Sequence, residues 1–368
     1  MGLEFASGRV LAKDITADRD YPPFNRSMRD GFAVRSSDIP GTLRIVGEVR
    51  AGSVFTAAVG PGETVEIMTG APVPAGPDTV VMVEHCIQNG DGTVTMERPL
   101  EYGMNVALQG SEAPKGGVVA PGGRRIDYGT VSLLAASGHI SVPVFRKPRV
   151  AILSTGDEVV PIDRTPQPHQ IRNSNAWSLA AQVTRAGGEP IVLPIAPDTL
   201  DETRQLIEQG LQADLLLLSG GVSAGKYDVV EPALARLRAA FSFDRVLIQP
   251  GQPLVFGRVD QTFFFGLPGN PGATIVTFEI FARAAVDLLG GMTETTLPLA
   301  MAKLTKPFRH KPGLTRFLPA TLREGAITPV PWQGSGDIPA LARANCFLVA
   351  DPQKPDYEEG EWIPVLMK

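Results

Sequence analysis

Cysteine, histidine and net positive charge are scarce in this chain, and each shortage excludes a class of protein. Its 368 residues contain two cysteines and four histidines, too few for a disulfide framework or a cysteine zinc site. We therefore expect Cys86 and Cys346 to be reduced core residues. The net charge of −5 argues against a nucleic-acid-binding surface, so no nucleic-acid partner is expected.

Long apolar runs and aromatic side chains are scarce as well. No stretch approaches the roughly 20 apolar residues of a membrane-spanning helix, and the first residues (MGLEFA) lack the basic and apolar segments of a signal peptide. We expect a soluble, cytoplasmic protein without a membrane partner. Aromatic residues make up 7% of the chain, and we expect Trp177, Trp332 and Trp362 to be packing residues.

Glycine and proline, in contrast, are abundant, with 39 and 33 residues. They concentrate in residues 40–125 and 297–368, where β-branched segments alternate with turn residues in the manner of short strands. Between these regions, apolar strands alternate with helical patterns, which cover residues 175–188, 200–213, 229–241 and 272–289. This alternation predicts a parallel, doubly wound α/β domain flanked by β-rich regions.

Three apolar runs of the central region break directly into glycine beside charged or hydroxyl residues. They are residues 150–158 (VAILSTGDE), 215–228 (LLLLSGGVSAGKYD) and 263–271 (FFFGLPGNP). Each is typical of a buried strand that ends in a tight loop, and such loops gather at the carboxyl ends of parallel strands, where ligands bind. Glycine lets the backbone approach a phosphate closely. The three loops together predict one anion-binding site.

These loops, with two blocks nearer the N-terminus, resemble the sequence signature of the molybdopterin molybdenumtransferases, the family of bacterial MoeA and the gephyrin E domain. The two further blocks are residues 22–34 (PPFNRSMRDGFAV) and 66–74 (EIMTGAPVP). All five blocks stand in the family's order, and the resemblance extends from about residue 8 to the C-terminus.

The resemblance implies four parts and a shared active cleft. The parts are an elongated dimerisation domain (residues 1–20 and 113–146), a β-rich domain (21–112), a molybdopterin-binding-like α/β domain (147–294) and a C-terminal β domain (295–368). In the implied homodimer, the β-rich domain of one chain completes the cleft of the other. Family members have a further helical hairpin before residue 8, so we expect a shortened dimerisation domain.

The resemblance also implies a Mg²⁺-dependent reaction. Adenylylated molybdopterin and molybdate are the substrates, AMP leaves, and the molybdenum cofactor forms; a molybdopterin adenylyltransferase is a further partner to consider. Other functions stay open: a preference for tungstate, a non-catalytic pterin- or partner-binding paralogue, and molybdopterin adenylylation itself. The last is open because the loop at residues 219–228 is also similar to that of the adenylyltransferases, although those enzymes usually lack the flanking β domains.

Three carboxylates are candidates for handling metal and phosphate. Mg²⁺ commonly bridges phosphates to one or two carboxylates. The resemblance assigns Glu158 and Asp228, which end two of the glycine loops, to the metal, and Asp198 to the same cleft. The alternative on the residues alone is that Asp198 and Asp228 cap the helices that follow them.

The glycine loops supply candidate phosphate donors. Four residues are expected to hold the AMP-side phosphate through N–H and hydroxyl groups: Ser219, Gly220, Gly221 and Ser223. Pro268 and Pro271 fix a turn before a helix N-terminus, whose positive dipole end suits an anion. A purely structural role for proline at a helix start is the alternative.

Asp30, Thr69 and Glu112 match family positions that line the cleft from the partner chain. Family members usually have aspartate where Glu112 stands. On the sequence alone, Asp30 would be a turn aspartate before Gly31.

The oxyanion side of the site carries the main departure from the family. Arg316 and Ser335 match molybdate-side residues, and Arg245 stands where the family has lysine. Gln249 and Gln252 replace two further lysines. A charged donor contributes about 1.5–3 kcal/mol against roughly 1 kcal/mol for a neutral one. We therefore expect weaker molybdate binding or an altered oxyanion preference, such as for tungstate.

Overall fold

The computed structural model describes residues 1–221 and 229–368, which form two compact units. The first contains Met1–Ser7, Lys13–Gly122 and Ile126–Pro143. The second contains Gly8–Ala12, Gly123–Arg125 and Val144–Lys368. None of the helices described has the length and apolar character needed to traverse a lipid bilayer.

The first unit consists mainly of short strands. They are β1 (Ile15–Thr16), β2 (Arg26–Ser27), β3 (Gly31–Val34), β4 (Gly41–Val49), β5 (Glu63–Ile67), β6 (Thr79–Met82), β7 (Ile87–Gln88), β8 (Thr93–Met96), β9 (Val106–Ala107) and β10 (Val118–Ala120), with helix α1 at Tyr128–Ala136. The main sheet has the order β6-β3-β5-β4-β8-β7. Strand β3 is entirely buried at its centre, because Phe32 packs on one face and Ala33 on the other.

The second unit begins with alternating strands and helices. The strands are β11 (Arg149–Ser154), β12 (Val159–Val160), β13 (Ile171–Arg172), β14 (Glu189–Val192), β15 (Leu215–Ser219), β16 (Ala240–Phe243), β17 (Ile248–Gln249), β18 (Val255–Val259) and β19 (Thr262–Leu267). The helices are α2 (Ser174–Arg185), α3 (Leu200–Gly210), α4 (Val230–Arg236), α5 (Pro271–Thr277) and α6 (Arg283–Leu289), and a π-helical turn joins the last two.

The central sheet has the order β14-β11-β15-β19-β18-β16. Strands β14, β11, β15 and β19 are parallel, as the sequence predicts, and apolar clusters cover both faces. The prediction is wrong for β18 and β16, which run antiparallel. Only Asp260 and Gln261 separate β18 from β19, a connection too short for a parallel crossover.

The helix predicted over residues 229–241 is shorter than expected. It ends at Arg236, because Arg238 adopts a positive φ of 58°. The following Phe241 and Phe243 then pack on Phe264 and Phe256 as part of edge strand β16. Aromatic packing against the sheet thus outweighs the helical pattern.

The C-terminal part forms a second sheet. The strands of this part are β20 (Leu299–Leu304), β21 (Phe308–Arg309), β22 (Thr315–Arg323), β23 (Ala326–Pro329), β24 (Cys346–Ala350), β25 (Asp356–Tyr357) and β26 (Trp362–Met367), with helix α7 at Ile338–Arg343. The second sheet has the order β17-β22-β23-β20-β26-β24, and a further β22–β24 pairing closes it on itself; β21 and β25 pair separately. Strand β17, predicted as part of the α/β region, instead pairs with β22 of this sheet.

The cysteines and tryptophans fit the expectations only in part. Both cysteines are free, and burial raises the pKa of each thiol to about 11. Cys346 is buried, whereas Cys86 is only half-buried. Trp177 and Trp362 are 53% and 55% exposed, so the prediction that they are packing residues is wrong.

Candidate functional site

A cleft of 510 Å³ lies at the carboxyl ends of β11, β15 and β19. These strands end in register, with Ser154 opposite Ser219 and Ser219 opposite Leu267. The loops that follow them contribute Glu158, Gly220 and Asn270 to the cleft wall. The three glycine loops therefore converge on one cleft, as the sequence predicts; its use for anions stays a prediction.

The loop after β15 has glycine where a side chain would not fit. Gly220 and Gly221 have φ values of 93° and 65°, in the left-handed region that favours glycine. A Cβ atom on Gly221 would lie 2.8 Å from Thr155 Oγ1 and 2.6 Å from Val230 Cγ2. The cleft wall here is bare backbone, the kind of surface that a phosphate can approach closely.

The start of α2 contributes two asparagines that the sequence pattern did not single out. Asn173 caps the helix by accepting from Ala176 N at 3.1 Å, and Ser154 Oγ donates to the same oxygen at 3.0 Å. Asn175 Nδ2 donates to Ser219 Oγ at 2.9 Å and to Gly269 O at 2.7 Å. Two asparagines at the start of an amphipathic helix, one at its N-cap and one in its first turn, were the available signal.

Two buried polar atoms of this cleft have unused hydrogen-bonding capacity. Thr155 Oγ1 and Asn175 Oδ1 have no hydrogen-bond partner among residues 1–221 and 229–368, and both residues line the cleft. An unsatisfied buried polar group costs about 1–3 kcal/mol. A ligand that donates to Asn175 Oδ1 or bonds Thr155 Oγ1 would relieve that cost.

Glu158 and Asp198 bring two carboxylates to the same cleft. Asp198 Oδ2 accepts from Asp157 N at 3.4 Å, and Asp198 N donates to Asp157 Oδ1 at 3.0 Å. Thr199, not Asp198, occupies the N-cap position of α3. The capping alternative for Asp198 is therefore wrong, and its carboxylate belongs to the cleft lining.

The metal assignment stays a prediction. In the described part of the chain, no group of three or more His, Cys, Asp or Glu side chains is placed to hold a metal ion. Two predicted site residues, Ser223 and Asp228, lie outside the described residues.

Pro268 and Pro271 line the cleft from the loop after β19. Pro271 lies in the first turn of α5, behind Asn270 at the N-cap position. Thr274 Oγ1 donates to Pro268 O at 2.6 Å, which fixes the loop against the helix. The structural role of the prolines and an anion-facing helix start are compatible here.

A second cleft of 380 Å³ adjoins the first, and Pro253, Pro268 and Asn270 line both. Four predicted oxyanion-side residues contribute to its wall: Gln249, Gln252, Arg316 and Ser335. Arg245 is exposed and is not among the residues that line either cleft.

Strand pairing explains why these residues meet. Gln249 lies opposite Arg316 in the β17–β22 pair, and Ser335 O accepts from Gly272 N at 2.7 Å at the start of α5. Arg316 Nε is buried and has no hydrogen-bond partner within the described residues. The second cleft therefore has a guanidinium N–H donor available and two neutral amides beside it.

The first unit contains the three residues predicted to act from a partner chain. Asp30 Oδ1 accepts from Thr69 N at 2.6 Å and from Thr69 Oγ1 at 2.8 Å. These bonds, the backbone one first, hold the pKa of Asp30 below its ordinary value. Glu112 forms an exposed ion pair with Arg26 at 2.5 Å.

Three family profiles match the chain. They are described as the MoeA N-terminal region (domain I and II), over residues 1–138, a probable molybdopterin binding domain, over residues 151–287, and the MoeA C-terminal region (domain IV), over residues 301–368.

Whole-length relatives give the same result. A molybdopterin molybdenumtransferase of Bacillus subtilis is 36% identical over 100% of this chain and 89% of its own length. A Staphylococcus aureus protein of that name is 33% identical over 100% of this chain and 90% of its own length. The crystal structure of a molybdopterin biosynthesis MoeA protein from Pyrococcus horikoshii superimposes with a TM-score of 0.80 at 27% identity, covering 100% of this chain and 94% of that one.

Proposed function

The chain belongs to the MoeA family of molybdopterin molybdenumtransferases, and on that premise we propose that it inserts molybdate into adenylylated molybdopterin and releases AMP. The product is the molybdenum cofactor. The observation that supports the proposal most strongly is that two clefts adjoin each other. One is lined by the glycine loops and the other by Arg316. A phosphate-linked substrate and an oxyanion can be held side by side there.

The first cleft would hold the phosphates of the substrate. Ser219, Gly220, Gly221 and, in the same loop, Ser223 are the proposed donors, joined by the hydroxyl of Thr155. Asn175 would keep the loops in place, because its Nδ2 donates to Ser219 Oγ and Gly269 O. Pro268 and Pro271 would keep the third loop rigid behind them. Backbone N–H groups in a glycine loop suit a phosphate because they donate without a side chain in the way.

Mg²⁺ fits the carboxylates of this cleft. Glu158 and, outside the described residues, Asp228 are the proposed ligands, and Asp198 lines the same cleft as Glu158. Mg²⁺ usually keeps several waters and takes one or two carboxylates with substrate phosphates, so a larger acidic cluster is not required. When bound, it would neutralise charge on the phosphate that departs with AMP.

The second cleft would hold the oxyanion. Arg316 offers a charged donor, Ser335 a hydroxyl, and Gln249 and Gln252 neutral amides. Because the amides contribute less than lysines would, we propose weaker molybdate binding than in relatives with lysine, or a preference for tungstate. Arg245, which lies outside the described lining, would act only at longer range.

The wider assembly follows the family. We propose a cytoplasmic homodimer in which Asp30, Thr69 and Glu112 complete the cleft of the partner chain, with domains divided at residues 20/21, 112/113, 146/147 and 294/295. A molybdopterin adenylyltransferase would supply the substrate.

The proposal is tested with purified protein, adenylylated molybdopterin, Mg²⁺ and graded molybdate or tungstate, following AMP release. We expect release that saturates with oxyanion and falls at least about tenfold in Arg316→Ala, since a charged donor is lost, but not in the surface control Arg343→Ala. Tight substrate binding without AMP release at high oxyanion would favour a non-catalytic paralogue. ATP-dependent adenylylation of molybdopterin would favour an adenylyltransferase.

A further inference from the structure

A third cleft, of 860 Å³, opens beside the first. Gly156, Val159 and Asn173 line both. The first and second clefts share a different set, Pro253, Pro268 and Asn270. Among the described residues, the third cleft shares none with the second. The phosphate loops therefore lie between two flanking clefts.

The third cleft combines an indole with apolar walls. Helix α2 buries Ala176, Leu179 and Val183 against the sheet, whereas Trp177 on the same helix is 53% exposed and lines the cleft. The remaining apolar wall comes from two loops and includes Pro161, Ile162, Pro194 and Pro197. An exposed indole beside apolar walls suits a flat ring system.

The charged groups at this cleft suit a nucleoside better than a phosphate. Asp157 and Asp163 both line it, together with Arg164. Carboxylates without a bound cation repel phosphate and oxyanion groups. They accept hydrogen bonds from ribose hydroxyls, as acidic residues do in dinucleotide-binding sites, and from an exocyclic amino group.

We propose that the third cleft binds the adenosine end of the substrate, with Trp177 stacking on the adenine ring. This inference rests on the proposed function. It adds to that function a binding site for the nucleoside and a role for Trp177.

The chemistry of the substrate matches the order of the clefts. In adenylylated molybdopterin the linked phosphates separate the adenosine from the pterin dithiolene, which receives the metal. With the phosphates at the glycine loops, the dithiolene lies toward the oxyanion cleft of Arg316, and the adenosine lies on the other side, toward Trp177. The reverse placement would put the nucleoside at the oxyanion residues and leave the dithiolene beside carboxylates.

The test measures AMP binding directly and needs no turnover. Wild type, Trp177→Ala, Trp177→Phe and the control Trp362→Ala, which removes an equally exposed indole of β26, are titrated calorimetrically. The ligands are AMP, ribose 5-phosphate and inorganic phosphate. Base stacking on an aromatic side chain predicts a roughly 5- to 100-fold weaker AMP affinity in Trp177→Ala. Trp177→Phe should restore much of it, and Trp362→Ala should bind as wild type.

Ribose 5-phosphate isolates the stacking contribution because it lacks the base. Its affinity should be the same in wild type and Trp177→Ala. In a Trp332→Phe, Trp362→Phe protein, AMP should quench the remaining indole fluorescence and inorganic phosphate should not.

Unchanged AMP affinity in a folded Trp177→Ala protein would overturn the inference, and so would an equal loss for AMP and ribose 5-phosphate. Weaker binding of free molybdopterin with unchanged AMP binding would also overturn it, because the cleft would then take the pterin end. In all these cases oxyanion-dependent AMP release could persist, so the proposed function would stand. Loss of AMP release in wild type would instead remove the proposed function itself.

Discussion

Asn175 and Ser219 are joined across the first cleft by a hydrogen bond of 2.9 Å from Asn175 Nδ2 to Ser219 Oγ. The same nitrogen donates to Gly269 O at 2.7 Å. One side chain thus links the start of α2 to two of the three glycine loops, and its Oδ1 atom stays without a partner among the described residues.

We predict that Asn175→Asp lowers kcat/KM for AMP release at least about tenfold. The substitution keeps the shape but removes both donated bonds and adds a negative charge where phosphate is expected, and each lost bond to a buried acceptor costs about 1–3 kcal/mol. Initial-rate kinetics give kcat/KM for AMP release, and thermal unfolding of the same protein gives its Tm.

Asn345→Asp is the matched control for this substitution. Asn345 bonds Leu322 through both ends of its amide and lies away from the clefts, so the same substitution should lower Tm without raising KM. Comparable kinetic losses in both variants would show that Asn175 acts through folding alone.

We predict that Thr155→Val weakens substrate binding about fivefold while leaving Tm unchanged or higher. Valine keeps the volume and removes a buried hydroxyl that has no partner in the described residues, so the folded protein loses little. Differential scanning calorimetry and KM measurements check this.

Thr203→Val provides the opposite control. The Thr203 hydroxyl donates to Pro197 O at 2.9 Å, so its removal should cost roughly 1 kcal/mol of stability with little effect on KM. A marked drop in Tm for Thr155→Val, equal to that of Thr203→Val, would mean that the Thr155 hydroxyl has a structural partner.

We predict that Gln249→Lys with Gln252→Lys lowers the apparent KM for molybdate about tenfold. Both side chains line the cleft of Arg316, and charged donors contribute more than amides. KM values for molybdate and tungstate, measured side by side, give the effect and any change in preference.

The matched control is Gln209→Lys with Gln212→Lys, which adds the same charge on exposed positions in and just after α3. It should leave both KM values within about twofold at moderate salt, because distant exposed charges are screened. An equal decrease in both double variants would assign the effect to net charge.

We predict that Thr69→Val raises the pKa of Asp30 toward its ordinary value. The Thr69 N–H and hydroxyl both donate to the Asp30 carboxylate and hold its pKa low; valine keeps the N–H and removes the hydroxyl. The ionised form is favoured in the folded protein, so this bond contributes at neutral pH and is lost as the pH falls through the depressed pKa. Carboxyl ¹³C NMR titration measures it, and Thr69→Ser should keep the wild-type value.

The glycine loops were predictable because buried strands and the loops that end them depend on local sequence patterns. Buried runs such as Leu215–Ser219 need two covered faces, which a sheet of parallel strands flanked by helices provides. The loops at their ends then meet by geometry. The pairing of Gln249 with Arg316, by contrast, was not predictable, because it depends on a contact distant in sequence.

Asn175 and Trp177 escaped prediction for a different reason. Both fit a helical pattern. Such a pattern predicts which side chains face away from the helix's buried side, but it does not predict which other parts of the chain they contact. Asn175 gains its role from Ser219 and Gly269, and Trp177 from two proline-containing loops. Such roles depend on tertiary neighbours.

We propose that loss of AMP and gain of molybdenum are one coupled event, and a single-turnover experiment measures both products together. Excess protein is mixed with adenylylated molybdopterin, Mg²⁺ and saturating molybdate, and AMP and pterin-bound molybdenum are quantified in the same samples over time. We predict equal amounts appearing at one rate, and neither product without the oxyanion. AMP release at an unchanged rate when molybdate and tungstate are omitted would show that the two events are not coupled.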